Sequence, residues 1–274
     1  MTTTTTTTTT TNHETIARKM TAEFYDLPKH IRTASSGIIW TGKSPVNGQE
    51  IMAIVSGLKT ASDNDKTGPM AQVDILVADE HPIEAIKTGA DEAVCGACPL
   101  RPDRLGKRVC YVNLGFGPAS KFRASIRGSY EMITPYQLGV ILAYRNRGVR
   151  FGSYGDPAML PYEVAETILR VSGVKHTSYT HQWMESWFDA RHLSYSMASV
   201  DAVNTVSKLH AIHPDARYYM LVDSYETLPE NTIACPSKSD RRNADDKRQV
   251  TCADCGLCAG TTRQAKNIAI VEGS

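Results

Sequence analysis

The sequence lacks most of the features that announce a function. No apolar run approaches the roughly 18 residues of a membrane span, which excludes a helical transmembrane protein. Net charge is only +1, so nothing argues for a dedicated nucleic-acid or membrane-surface protein, although a local basic face stays open. Met1 leads into the threonine run Thr2–Thr11 rather than into a basic and then apolar segment. No signal peptide is therefore expected, and the expected compartment is the cytoplasm. There is no P-loop, no Ser-His-Asp arrangement and no H-E-x-x-H. Gly115 and Gly117 give only "GFG", too short for a phosphate loop. No repeat of solenoid length is present.

What remains is an ordinary globular composition over 274 residues, enough for one large domain or two small ones, and seven cysteines. The cytoplasm disfavours structural disulfides, so cysteine clusters there read as metal or redox sites. None of the seven sits alone in an apolar run as filler.

The polar pattern divides the chain into four. Residues 1–30 read as a disordered threonine-rich tail with a possible helix, and 31–94 as a small β-rich elaboration. In the latter, strands near 37–41 and 50–56 flank a turn with Pro45, Asn47 and Gly48, and 71–79 forms a further strand. Residues 95–234 form a βα core, and 235–274 a metal-binding segment with a last strand. In the core, strands near 108–114, 149–154, 174–179, 194–199 and 217–222 alternate with helices. "TPYQLGVILAYRNRG" and "PYEVAETILRVSG" are two of these helices, and "DAVNTVSKLHAIHP", with Asp201 as a plausible N-cap, is the third. The expected fold is α/β, a partial (βα) barrel-like parallel sheet, with an open doubly wound sheet as the runner-up.

Two cysteine groups stand out. Cys252, Cys255 and Cys258 form C-x2-C-x2-C, which wraps three thiolates around one point as ferredoxin-type loops do. Cys235, upstream across a charged segment, is the candidate fourth ligand. Zinc is the alternative to an iron–sulfur cluster. The other group is Cys95, Cys98 and Cys110, a C-x2-C-x11-C arrangement. It is either completed by a histidine or carboxylate (His81, His176 and His181 are candidates) or is a 4Fe–4S cluster with one iron open to a small molecule.

"RFGSYGDPAMLP" (150–161) ends a strand in a Gly-rich turn and opens a helix. It resembles the "GGEP" turn of radical S-adenosylmethionine enzymes, with Tyr154, Gly155 and Asp156 at the turn and Asp156 in place of glutamate. Cys110, followed by the aromatic Tyr111, precedes it as the cluster cysteines do in that family. The family's cysteine pattern is C-x3-C-x2-C, from which this chain departs. The resemblance covers roughly 95–235 and implies one or two 4Fe–4S clusters. It also implies S-adenosylmethionine bound near Tyr154, Gly155 and Asp156, a reductant protein, and a small-molecule or nucleic-acid-derived substrate. The chain also resembles phage- and plasmid-borne proteins that share "YTHQW", "ASVD" and a terminal "CADCGLC", a likeness that carries no activity.

Active groups of a parallel sheet gather at strand C-termini. His181 reads there as a ligand, a general acid or base, or a plain hydrogen-bonded residue, and Asp201 as a catalyst or a cap. Lys121, Arg123 and Arg127 beside Phe122 suggest either a grip on phosphate or a solvated helix. The rival to an iron–sulfur enzyme is a zinc-stapled binding module, for nucleic acid among other partners. Composition gives no oligomeric state.

Overall fold

The apolar runs on either side of Asn47–Gly48 fold back as a hairpin, β1 (Ser36–Lys43) against β2 (Glu50–Ser56), after helices α1 (18–26) and α2 (Lys29–Arg32). These coordinates come from a computed structural model, which describes residues 18–60, 64–102, 110–226, 228–236 and 250–271. The threonine run, residues 103–109 and most of the charged segment before Cys252 lie outside the described residues.

The chain continues through β3 (Ala71–Val77), α3 (Pro82–Thr88), α4 (Glu92–Cys95), α5 (Gly117–Ile126), β4 (Glu131–Met132), α6 (Pro135–Tyr144), β5 (Val149–Tyr154) and α7 (Tyr162–Ser172). Next come β6 (His176–Thr177), β7 (Tyr179–Thr180), β8 (Met197–Val200), α8 (Thr205–Ile212), β9 (Tyr218–Val222), β10 (Thr232–Ala234), α9 (Cys252–Cys255) and β11 (Asn267–Val271). The strands form two sheets, in the orders β4-β1-β2-β3-β5-β6 and β10-β11-β9-β8-β7. The fold is α/β. β3, β5 and β6 run parallel, and every pairing in the second sheet is parallel. Only Ser178 separates β6 from β7, so one extended segment edges both sheets.

Three expectations change. Residues 110–114 are not a strand, and β3 takes the place beside β5 instead. β3 is buried along nearly its whole length, with Ala71, Val73, Ile75 and Val77 on one face and Gln72, Asp74 and Leu76 on the other. The hairpin joins the same sheet as β5 through the β2–β3 pairing. Asp201 does not cap α8, whose N-cap is Asn204. Lys121 is not a solvated helix residue: its ammonium contacts the buried carboxylate of Asp74.

Helices α6 and α7 pack their apolar sides on the first sheet in the main core, with Leu138, Ile141, Val164 and Ile168 against Ile54, Ile75 and Phe151. The second sheet alternates faces residue by residue. Tyr218 and Met220 go under Leu209 of α8. Tyr219 and Leu221 turn the other way, to Met197, Ile268, Cys235 and Cys258. The cysteine loop is what covers this second face.

Two buried histidines make the fold acid-sensitive. Burial holds His176 and His192 down at about 4 from an ordinary 6.5. The ring of His176 bonds the Tyr195 carbonyl oxygen at 3.1 Å, and His192 Nδ1 lies 2.5 Å from the Tyr195 hydroxyl. The unfolded chain therefore takes up protons first as pH falls. Their contribution is complete above pH 6.5 and is lost progressively toward pH 4, at about 1.4 kcal/mol per pH unit for each histidine. Urea midpoints should fall steadily across that window, and His192→Gln should flatten the slope. An unchanged midpoint from pH 7 to pH 4.5 would refute this.

Candidate metal centres

The first cysteine loop grows out of α4. Asp91 precedes the helix, and Cys95 ends it at Gly96, whose φ of +52° suits glycine. Arg101 clasps the loop with a two-pronged pair to Asp91, Nε at 2.8 Å and Nη2 at 2.9 Å, and donates Nη1 to the Gly96 carbonyl at 3.0 Å. Cys98 N–H donates to the Cys95 carbonyl at 3.2 Å, and Cys110 N–H to the Leu100 carbonyl at 3.0 Å. The three thiols lie close enough to feel one another. Burial, then the charges of Asp91, Cys98 and Cys110, pushes the Cys95 thiol well above its ordinary range.

This loop docks on the C-terminal ends of β5 and β7. Gln182 straps it: the side-chain amide donates to the Cys95 carbonyl at 2.9 Å and accepts from Ala97 N–H at 3.0 Å. The same amide donates to Asp156 at 3.1 Å. Asp156 Oδ1 accepts from Ala158 N–H, and Oδ2 from His181 N–H, both at 2.9 Å. Its own N–H reaches the Val94 carbonyl at 2.7 Å. Burial raises the Asp156 carboxyl, and the Ala158 and His181 amides partly offset that. Asp156 therefore ties the turn, the loop and the "YTHQW" segment together. Tyr154 is buried in the main core.

Gly155 shows how tight this junction is. Its φ is +77°, and a Cβ would come within 2.8 Å of the Ile75 carbonyl oxygen and of Ile75 Cβ. Gly155→Ala should cost about 1–3 kcal/mol from backbone strain alone, with the clash adding to it. A denaturation midpoint equal to wild type would overturn that.

His181 is the histidine beside this group. Its Nε2 lies 3.3 Å from Asp201 Oδ1, and its ring also bonds Cys98. Burial by itself would push the imidazole down, but Asp201 and Cys98 outweigh it and lift it up to about 10. His176 is committed to Tyr195, and His81 caps α3.

The second group comes together on the open face of the second sheet. Cys235, Cys252, Cys255 and Cys258 line one pocket with Thr177, Tyr179 and Tyr219. A Thr251–Asp254 capping box starts α9, and Gly256 ends it with φ +61°. Cys252 and Ala253 N–H groups donate to the Lys66 and Thr67 carbonyls at 2.9 and 3.1 Å. Arg217 donates to the Leu257 and Gly260 carbonyls, each at 2.9 Å, and Lys175 to the Asp254 carbonyl at 2.6 Å. Cys235 N–H donates to the Ala269 carbonyl at 2.7 Å beside β11. Burial pushes Cys258 up to about 12 although Tyr179 donates to it, and the other three thiols add to the rise. Burial, and Cys235 beside each, raises Cys252 and Cys255.

The seven described cysteines are free thiols. Among the described residues, no group of three or more His, Cys, Asp or Glu side chains closes around a point that a metal ion could occupy. The donor set is nonetheless the one that thiophilic metals and clusters take. Sequence reasoning missed the clasps Asp91, Arg101 and Arg217, and it gave no role to Arg150. Arg217 and Arg150 contact residues about 40 positions away, and the Asp91–Arg101 pair closes a ten-residue loop that no local spacing rule marks.

Fold and site together define an α/β protein with two thiol groups held by clasps from its sheets. No family model matches the chain, no curated protein is similar to it, and no solved structure matches its fold. Among the described residues, no helix is long and apolar enough to cross a membrane.

Proposed function

We propose that the chain is an iron–sulfur metalloprotein whose second, four-cysteine centre is an auxiliary cluster. Its first, three-cysteine centre is of the radical S-adenosylmethionine-like kind, on a partial barrel in which β6 and β7 continue one curved sheet. The observation that carries this reading is the pocket shared by Cys235, Cys252, Cys255 and Cys258, whose spacing is that of ferredoxin-type loops. The order of β3, β5, β6/β7, β8 and β9 supports the barrel.

At the first centre, Cys95, Cys98 and Cys110 would ligate a cluster. Such a cluster, with S-adenosylmethionine bound, supplies one-electron cleavage chemistry. This chain's residues do the positioning. Arg101 and Gln182 fix the loop, and Gly155 lets the turn approach it. Asp156 departs from the role implied by the resemblance. Its oxygens are engaged by Ala158, His181 and Gln182, so it acts as a positioning residue rather than as the partner of the cofactor's amine. His181, held by Asp201, stands where it could hand a proton to a bound molecule.

A second reading is favoured by one contact. His181 beside Cys98 offers a Cys3His set, a composition of structural zinc sites. Anaerobic purification with metal analysis separates the two. A brown protein rich in iron supports the cluster, and a colourless protein rich in zinc overturns it. Reduction of the iron-loaded protein with S-adenosylmethionine should then form 5′-deoxyadenosine, and Cys98→Ala should not. Iron-loaded wild type that neither binds the molecule nor cleaves it removes the radical-enzyme part and leaves a redox or structural metalloprotein.

A further inference from the structure

The four-cysteine pocket holds more than sulfur. Thr177 is 2% exposed, and its Oγ1 has no hydrogen-bond partner although it lines the pocket. A buried hydroxyl without a partner costs about 1–3 kcal/mol, so a fold retains one where something else meets it. Tyr179 lines the same wall, donates to Cys258, and packs edge-on against Tyr219 with ring centroids 4.8 Å apart. Arg150 approaches from β5, near enough that it and Cys252 feel each other's charge. Its Nε is buried without a partner, and its Nη2 donates to the Tyr111 hydroxyl at 2.6 Å. Tyr111 follows Cys110 in the chain, and Arg150 pairs across the strands with Thr177.

A purely structural staple needs four thiolates and little else. Here two hydroxyls and a cation are gathered around them. We propose that the four-cysteine centre is a one-electron redox centre, and that Thr177, Tyr179 and Arg150 hold its reduced state. The inference rests on the iron–sulfur reading of that pocket and assigns the auxiliary cluster its role. One electron enters from an external low-potential donor, and the cluster gains one unit of negative charge with no bond made or broken. Hydrogen-bond donors and a cation stabilise that extra charge and so raise the reduction potential.

The test is a dithionite-poised potentiometric titration of the full chain, purified without oxygen and followed by the paramagnetic signal of the reduced cluster. Cys98→Ala serves as the background, so that only the four-cysteine centre reports. Thr177→Val, Tyr179→Phe and Arg150→Gln should each move the midpoint negative. At a fixed poise near the parent midpoint, the reduced-to-oxidised ratio should fall about tenfold, which is 59 mV for a one-electron couple. Thr177→Ser keeps the hydroxyl and should keep the parent potential, which separates donation from packing should the valine variant fold poorly. An iron-loaded protein that dithionite never reduces overturns the proposal, as do unchanged midpoints in all three variants. Zinc in place of iron overturns the underlying reading along with it.

Discussion

Cys255→Ala should strip metal from the C-terminal centre and lower the stability of the whole fold. The position is chosen because Cys255 is half-buried and outside the apolar cluster that takes in Cys235 and Cys258. Its loss therefore tests ligation rather than packing. The loop of Cys252–Cys258 is the cover on one face of the second sheet, over Tyr219, Ile268 and Met197. Burial pushes the thiols of Cys252, Cys255 and Cys258 up, and neighbouring thiols, Cys235 above all, add to the rise. A metal exchanges the thiol protons for ligand bonds, and its binding energy becomes folding energy. We expect a loss of at least about 3 kcal/mol, or on the order of 10 °C in Tm for a chain of this size. Metal content per chain should fall while Cys98 and its partners keep theirs. Unchanged metal content would sink the assignment of that centre.

Asp156→Ala should be nearly as damaging, by a different route. Three donors converge on the carboxylate: Ala158 N–H, His181 N–H and the Gln182 amide. Asp156 is 6% exposed, so no water would replace the lost oxygens. Each stranded donor costs about 1–3 kcal/mol, and the sum is on the order of 3 kcal/mol or more. Gln182 would lose one of its anchors, and with it the strap on Cys95 and Ala97 would loosen. Metal should therefore leave the first centre in this variant and stay in the second. A variant with wild-type stability and full metal content would show that Asp156 is free to serve a ligand instead.

Much of this was legible in the chain itself. Two apolar strands flanking a turn with Pro45, Asn47 and Gly48 mark a hairpin, and Pro161 and Gly173 bracket a helix that the structure contains as α7. The two-residue spacers of Cys252, Cys255 and Cys258 bring three thiols into one loop because the intervening chain is too short to do otherwise. Local spacing could not say what the sheets would pair with. Residues 108–114 look like a strand because they are apolar and bounded by charge, yet the place beside β5 went to β3, whose Val73, Ile75, Leu76 and Val77 are buried there. Nor could spacing distinguish a cap from a partner. Asp201 precedes a helix in sequence, but the turn after β8 carries it to His181 instead.

The sequence by itself determined which residues can ligate metal, because thiol chemistry belongs to the side chain and clustering in a short loop belongs to the spacing. Only the tertiary structure decided their company. Cys235 joins the other three because β10 pairs with β11, and a parallel ladder fixes that register. Thr177 and Tyr179 line that pocket, and Arg150 sits opposite Thr177 on the neighbouring strand, because adjacent strands bring together residues far apart in the chain, a proximity that no single stretch of sequence encodes.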